Sequence, residues 1–231
     1  MRLSRLLILN VILVLVSACS STNVINLEGS DTTRFSDLRL SFPVTKEDEN
    51  KRIKLRLTDA SGEFSQDIPE GKVVDFEDFQ LVGPDRVSSV ADITVASISY
   101  GRVGEALREN FYLSAFAGIS RTNFEIDMET ESGQSAGVRN KSFEVYIDLG
   151  IYHMLLPYLA GGLEAAFSRN LSLSGITEWG FVLKFRPSRH MEIMGGYRWF
   201  KYDYFTTDYD SGIIVELNGP FIGLNPVSYT H

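Results

Sequence analysis

The sequence predicts an all-β chain folded as an antiparallel, up-and-down transmembrane β-barrel, and two observations carry that expectation. From Phe111 onward apolar and polar residues alternate along segment after segment, and period two over ten or more residues marks a strand whose two faces meet different surroundings. Tight turns alternate along the chain with longer or more polar loops, as in a barrel with one short-turn rim and one loop rim. Against them, no apolar run after the first twenty residues reaches the length of about eighteen that a spanning helix needs, and on that ground alone the chain reads as soluble.

The chain opens with "MRLSRLLILNVILVLVSAC", in which Arg2 and Arg5 precede an apolar core, Leu6 to Val16, broken by Asn10 and followed by small residues. That is the grammar of a secretory signal peptide, and the core is short for a membrane span. An ordinary secretory signal that ends in Cys would read the same way. Val16-Ser17-Ala18-Cys19, however, resembles the lipobox of bacterial lipoproteins. The resemblance implies a signal peptide over residues 1–18, cleavage before Cys19, and acylation of Cys19 on sulfur and on its new amino group by palmitate-like chains. With Ser at position 20 it also implies delivery to the outer membrane of a Gram-negative cell envelope. At about 0.8 kcal/mol per buried CH₂, three chains make a firm anchor. Residues 19–33 are rich in Ser, Thr, Asn and Gly and read as the lipidated N-terminus and tether.

Residues 34–231 are assigned to the barrel. Seven strands are read near 91–107, 111–127, 140–152, 157–168, 172–186, 189–205 and 211–225. In "SFEVYIDLGIY", for example, Phe143, Val145, Ile147, Leu149 and Ile151 oppose Glu144, Tyr146, Asp148, Gly150 and Tyr152. "REN" at 108–110, the bend at 155–157 and "RPSR" at 186–189 read as tight turns, whereas "METESGQSAGVRN" and "TTDYDS" read as loops. A bacterial barrel takes an even strand number, so residues 34–90 must supply at least one more strand. The candidates are "RFSDLRLSF", "KRIKLRLTDASGEFSQDI" and "KVVDFEDFQLV". One of them gives eight strands, the favoured count; all three give ten.

A lipocalin-like barrel in water and a membrane barrel share this period, and the composition of the polar face separates them. Here that face carries Gly118, Gly150, Gly162, Gly180, Gly196, Ser114 and Ser120 beside isolated charges, which suits a crowded lumen better than a solvated surface. The apolar face, including Ile213, Val215 and Leu217, is accordingly expected to face lipid. The lumen is expected to hold a charge network of Glu144, Asp148, Glu164, Glu178, Glu192 and Glu216 with Lys184, Arg186 and Arg198, filling an eight-stranded barrel too narrow to conduct; a charged pore or proton relay is the alternative, favoured by a count of ten. Tyr197, Trp199, Tyr202 and Tyr204 read as an interfacial aromatic girdle. Over residues 90–225 the pattern, including "GGYRWFKYDY" and "GPFIGL", resembles the small OmpA-like and OmpX-like outer-membrane barrels.

Composition narrows the function classes. The net charge of −8 and a pI near 5.0 argue against nucleic acid, which needs clustered Lys and Arg. Removing Arg2 and Arg5 from 22 basic residues leaves 20 against 30 acidic ones, a net of −10. A single cysteine excludes a disulfide framework. His153, His190 and His231 are spaced as rim residues and not as a ligand set, so no metal or cofactor is expected. Glu125 with Asp127, and Asp208 with Asp210, could hold a cation only weakly. The expected role is structural or surface-interacting and non-catalytic, as a monomer whose partners are outer-membrane lipid and the lipoprotein-processing and barrel-assembly machineries. The alternatives are a periplasmic lipid-anchored, lipocalin-like barrel for a small apolar ligand, and a lipid A-modifying enzyme. With Cys19 in the inner leaflet, the tether and the short turns are expected on the same, periplasmic side.

Overall fold

Strands form where the sequence alternates, and they run further than the alternation alone suggests. The structure, a computed structural model, describes residues 23–28, 32–45, 48, 50–71, 73–76, 79–105, 110–172, 174–188, 191–205 and 211–226. The expected signal peptide over residues 1–18 and the expected lipidation site Cys19 therefore lie outside the described residues. The strands are β1 (Asn23–Leu27), β2 (Thr32–Pro43), β3 (Lys51–Ile68), β4 (Val73–Phe76), β5 (Phe79–Val82), β6 (Asp85–Glu105), β7 (Phe111–Thr130), β8 (Ser135–Leu156), β9 (Leu159–Arg169), β10 (Gly175–Ser188), β11 (Met191–Phe205) and β12 (Ser211–Pro226).

Nine of these close into one barrel in the order β2-β3-β6-β7-β8-β9-β10-β11-β12, with β12 returning to β2. Every neighbouring pair is antiparallel except at the seam, where Phe221 to Leu224 pair in parallel with Phe35 to Leu38. The expected eight staves are thus nine. Two of the three candidate segments enter the wall as β2 and β3, while the third folds on itself as the β4-β5 hairpin outside the barrel sheet. Up-and-down staves alternate in direction, so an odd number forces the first and last to run the same way. β1 continues this first stave, pairing in parallel with β12 from Asn23 opposite Ser211 to Leu27 opposite Val215.

The seam also corrects the expected topology of the tether. The ends of β2, β6, β8, β10 and β12 and the starts of β3, β7, β9 and β11 lie at one rim, called here the turn rim. The ends of β3, β7, β9 and β11 and the starts of β2, β6, β8, β10 and β12 lie at the other, the hairpin rim, which carries β4 and β5. Asn23 stands level with Ser211 at the hairpin rim, so the chain enters opposite the short turns. The expected loop "METESGQSAGVRN" is mostly strand as well: β7 and β8 stay paired to Glu129 opposite Ser135. The turn between them holds Gly133 at a φ of 88°, which glycine alone adopts freely.

The wall coils tightly because small residues let staves approach. A Cβ on Gly118 would fall 2.0 Å from the Ile98 carbonyl oxygen, and one on Gly196 would fall 1.9 Å from that of Phe181. Neither position can carry a side chain without moving the neighbouring stave.

Inside and outside change character along the barrel axis. In the half near the turn rim, outward residues are apolar on every stave, among them Leu38, Leu57, Ile98, Leu113, Leu149, Leu163, Leu183, Ile193 and Ile222, while the interior holds the charged residues beside a few apolar ones such as Phe116, Val182 and Met194. In the half near the hairpin rim the interior is apolar, built from Ile93, Phe124, Ile126, Met128, Ile176, Tyr202, Ile213, Val215 and Leu217. The outer face of β2, β3, β6, β7 and β8 there carries Arg34, Asp59, Glu63, Asp92, Arg121, Asp127 and Lys141, all exposed. Leu81 of β5 is buried and closes over Ile25, Leu27, Ile68, Val87 and Met128, so the hairpin caps this apolar end.

Candidate functional site

The turn half of the lumen is crossed by ion pairs centred on Asp37 of β2. Its Oδ2 accepts hydrogen bonds from Arg39 Nη2 and from Arg198 Nη2, each at 2.6 Å, and its Oδ1 accepts one from Arg56 Nε at 3.2 Å. Glu178 Oε1 takes Arg56 Nη2 at 2.6 Å and Arg198 Nε at 2.9 Å, so two arginines bridge the same two carboxylates. Glu164 binds Arg39 through both oxygens, at 2.7 and 2.8 Å, a fork-to-fork pair. It also holds Lys184 Nζ at 3.0 Å and accepts a hydrogen bond from Tyr152 Oη at 2.7 Å. Lys54 Nζ donates to Asp148 Oδ1 at 2.8 Å, and Tyr146 Oη donates to Asp148 Oδ2 at 3.1 Å.

These residues stand on β2, β3, β8, β9, β10 and β11, so the bonds tie opposite walls together across the lumen. Rings complete the packing: Lys184 Nζ lies 3.6 Å from the Tyr152 ring centroid, and the Arg198 guanidinium lies 4.1 Å from that of Phe221. Buried charges are tolerated only with such dense pairing, because desolvation otherwise exceeds the attraction gained.

The expected charge network divides on inspection. Asp148, Glu164, Glu178, Lys184 and Arg198 belong to the central cluster. Glu192 is buried near the turn rim and accepts from Arg186 Nε at 2.7 Å and Asn225 Nδ2 at 3.2 Å; Arg186 itself reaches toward solvent. Glu144 is buried apart from any arginine contact described and is held by hydroxyls, from Ser142 at 2.7 Å, Ser120 at 3.4 Å and Ser168.

Glu216 is a correction: it points outward and pairs loosely with Lys201 at 3.5 Å. It sits in the hairpin half, where polarity is reversed and Ile213, Val215 and Leu217 take the inside. The aromatic girdle is corrected for the same reason. Tyr197 and Trp199 face outward, with Trp199 stacked on Trp179 at 4.0 Å. Tyr202 and Tyr204 face inward, and Tyr202 is fully buried 4.8 Å from the Phe124 ring.

Sequence reading missed Asp37, Arg39, Lys54 and Arg56, the core of the network. The signal was present in "DLRLSF" and "IKLRLT", where Asp37, Arg39 and Ser41 alternate with Leu38, Leu40 and Phe42, and Lys54, Arg56 and Thr58 with Ile53, Leu55 and Leu57.

Other candidate chemistry is thin. His153 packs against Phe111 at 4.4 Å, and His190 and His231 lie outside the described residues. Glu125 is paired with Arg139, and Asp208 and Asp210 lie outside the described residues. Among the described residues no three His, Cys, Asp or Glu are disposed to hold a metal ion. At the turn rim, Asp48 accepts from Arg102 at 3.3 Å and sits 3.1 Å from Lys51; the Lys51 hydrogen bond holds its carboxyl below the usual range.

What fold and site define together is a closed nine-stave barrel whose one half is inside-out in polarity, with a lumen cross-tied by ion pairs. Comparison with protein-family models, with curated proteins and with solved structures returned no match.

Proposed function

We propose that the protein is a lipid-anchored outer-membrane β-barrel with a structural or surface-interaction role, its turn half embedded in the bilayer and its hairpin half standing out of it. The observation that supports this most is the outer surface of the turn half. On β8 the outward residues Phe143, Val145, Ile147, Leu149 and Ile151 are 41–71% exposed. Nine residues is the length a tilted strand needs to cross a hydrocarbon core, and soluble monomers rarely expose apolar patches on this scale. No charged residue interrupts the outward series Leu38-Leu40-Phe42, Ile53-Leu55-Leu57, Leu113-Ala115-Ala117-Ile119 or Trp179-Phe181-Leu183-Phe185.

Ion pairs cross the lumen at the level of this belt, which favours a blocked barrel over a conduit. In the apolar half the void beside Leu81 and Ile25 is about 40 Å³, well short of the roughly 300 Å³ of a small-ligand site. That favours the membrane reading over a lipocalin-like carrier. Because β1 starts at the hairpin rim, an acylated Cys19 shares that side of the membrane with the hairpin.

The test is electrophoresis without boiling. A membrane barrel resists SDS and runs fast until heated, so the wild-type chain is expected to give a fast band that boiling abolishes, together with acyl labelling that Cys19→Ala removes. A single band of unchanged mobility, with protein that fails to float with lipid vesicles, would sink the membrane reading; label that persists in Cys19→Ala would sink the anchor alone.

A further inference from the structure

Between the ion-pair cluster and the turn rim lies a chamber of about 320 Å³, a volume in the range of small-molecule sites. Its wall is unlike the rest of this acidic protein. Arg39, Arg52, Lys54, Lys184 and Arg186 line it against a single lining carboxylate, Glu192. Asp37 and Asp148, which pair with Arg39 and Lys54, stand outside the lining. Of the carboxylates paired with these cations, Asp37, Asp148 and Glu164 thus stand behind the wall, and Glu192, the partner of Arg186, stands in it.

Two hydroxyls in the same wall are unused. Ser114 is 93% buried and its Oγ makes no hydrogen bond within the protein; neither does Tyr112 Oη nor the Asn225 side-chain oxygen. Buried donors are ordinarily paired, so Ser114 and Tyr112 hold bonding capacity beside the cations for an acceptor the chain does not supply. These donors arrive from β3, β7 and β10, that is, from separate sides of the barrel. A planar carboxylate offers acceptors in one plane, whereas a phosphate offers oxygens in all directions. Phe116 and Met154 add an apolar surface for an organic body.

We propose that this chamber binds a small phosphomonoester, its dianionic phosphate held among Arg52, Lys54, Lys184 and Arg186 with Ser114 and Tyr112 donating to it. The same phosphate chemistry could come from a free phosphoester or from the headgroup of a phosphatidic acid-like lipid at the rim. The site needs only the folded barrel, not the bilayer, so its failure is separate from failure of the membrane reading.

The experiment is calorimetric titration of the full barrel in maltoside micelles with glycerol 3-phosphate, and with succinate at matched ionic strength. Saturable binding at least about tenfold tighter than succinate is expected, the equivalent of one charge-assisted hydrogen bond. Arg52→Gln should weaken it by about tenfold or more, and Ser114→Ala by a few-fold, with heat-modifiable migration kept in both. In parallel, mass spectrometry of the barrel from phosphatidylcholine nanodiscs containing a minority of phosphatidic acid reads headgroup binding. Glycerol 3-phosphate binding without a phosphatidic acid adduct assigns a free phosphoester; an adduct that Arg52→Gln removes assigns the lipid. Neither ligand bound up to about 10 mM, succinate bound as well, or binding unchanged in both variants overturns the proposal.

Discussion

The two halves of the barrel use the same staves and opposite rules. Near the turn rim β7 hides Ser114 and Ser120 and exposes Leu113 and Ile119; near the hairpin rim it hides Phe124, Ile126 and Met128 and exposes Asn123 and Asp127. One continuous strand therefore reverses its polarity without changing its period. The inward side chains keep the same parity throughout, so the reversal is written in composition and not in backbone geometry. The interior of one half is held by charge pairing and the other by apolar packing.

The sharpest way to break that contrast is to remove the hub of the charged half. Asp37→Ala leaves Arg39, Arg56 and Arg198 buried without their shared partner. Loss of about 3–5 kcal/mol is expected, read as a lowered urea midpoint or loss of the fast electrophoretic band. A smaller effect should separate the two outer surfaces. Ile147→Arg, in the middle of the exposed apolar run of β8, should cost about 2–4 kcal/mol if that surface meets lipid. Asn123→Arg, exposed in the hairpin half, should change stability by less than about 0.5 kcal/mol. Equal, near-zero effects in vesicle-refolded protein would mean that both surfaces face water. The smallest effect belongs to the packed interior. Ile126→Val at a fully buried position should cost about 0.5–1.5 kcal/mol, and the same unfolding titration checks it.

This division also explains what could be read in the sequence. The seven strands from residue 91 onward are legible because alternation there is long and many of the turn half's inner residues are small or charged. The face assignment for Glu144, Asp148, Glu164, Glu178 and Arg198 followed from that composition. It failed for Glu216, Tyr202 and Tyr204 because hydrophobicity was assumed to mark the outside along the full height of a stave. At β12 the apolar residues Ile213, Val215 and Leu217 face the core, and nothing local announces where the rule inverts. The stave count was harder still. Choosing between "RFSDLRLSF", "KRIKLRLTDASGEFSQDI" and "KVVDFEDFQLV" depends on which segments are long enough to cross the wall. The third is interrupted by Glu77 and Asp78 and folds back on itself. The even-number rule also obscures the network hub, since Asp37 and Arg56 sit on β2 and β3, the two of these three segments that enter the wall.

The parallel seam between β12 and β2 has a practical consequence. With Asn23 at the hairpin rim and Pro226 paired to Met191 at the turn rim, a peptide fused ahead of β1 and another fused behind β12 emerge from opposite ends of the cylinder. In a membrane, one epitope would meet antibody outside the cell while the other required permeabilisation. Joining the two ends into a circular permutant would demand a linker at least as long as a stave.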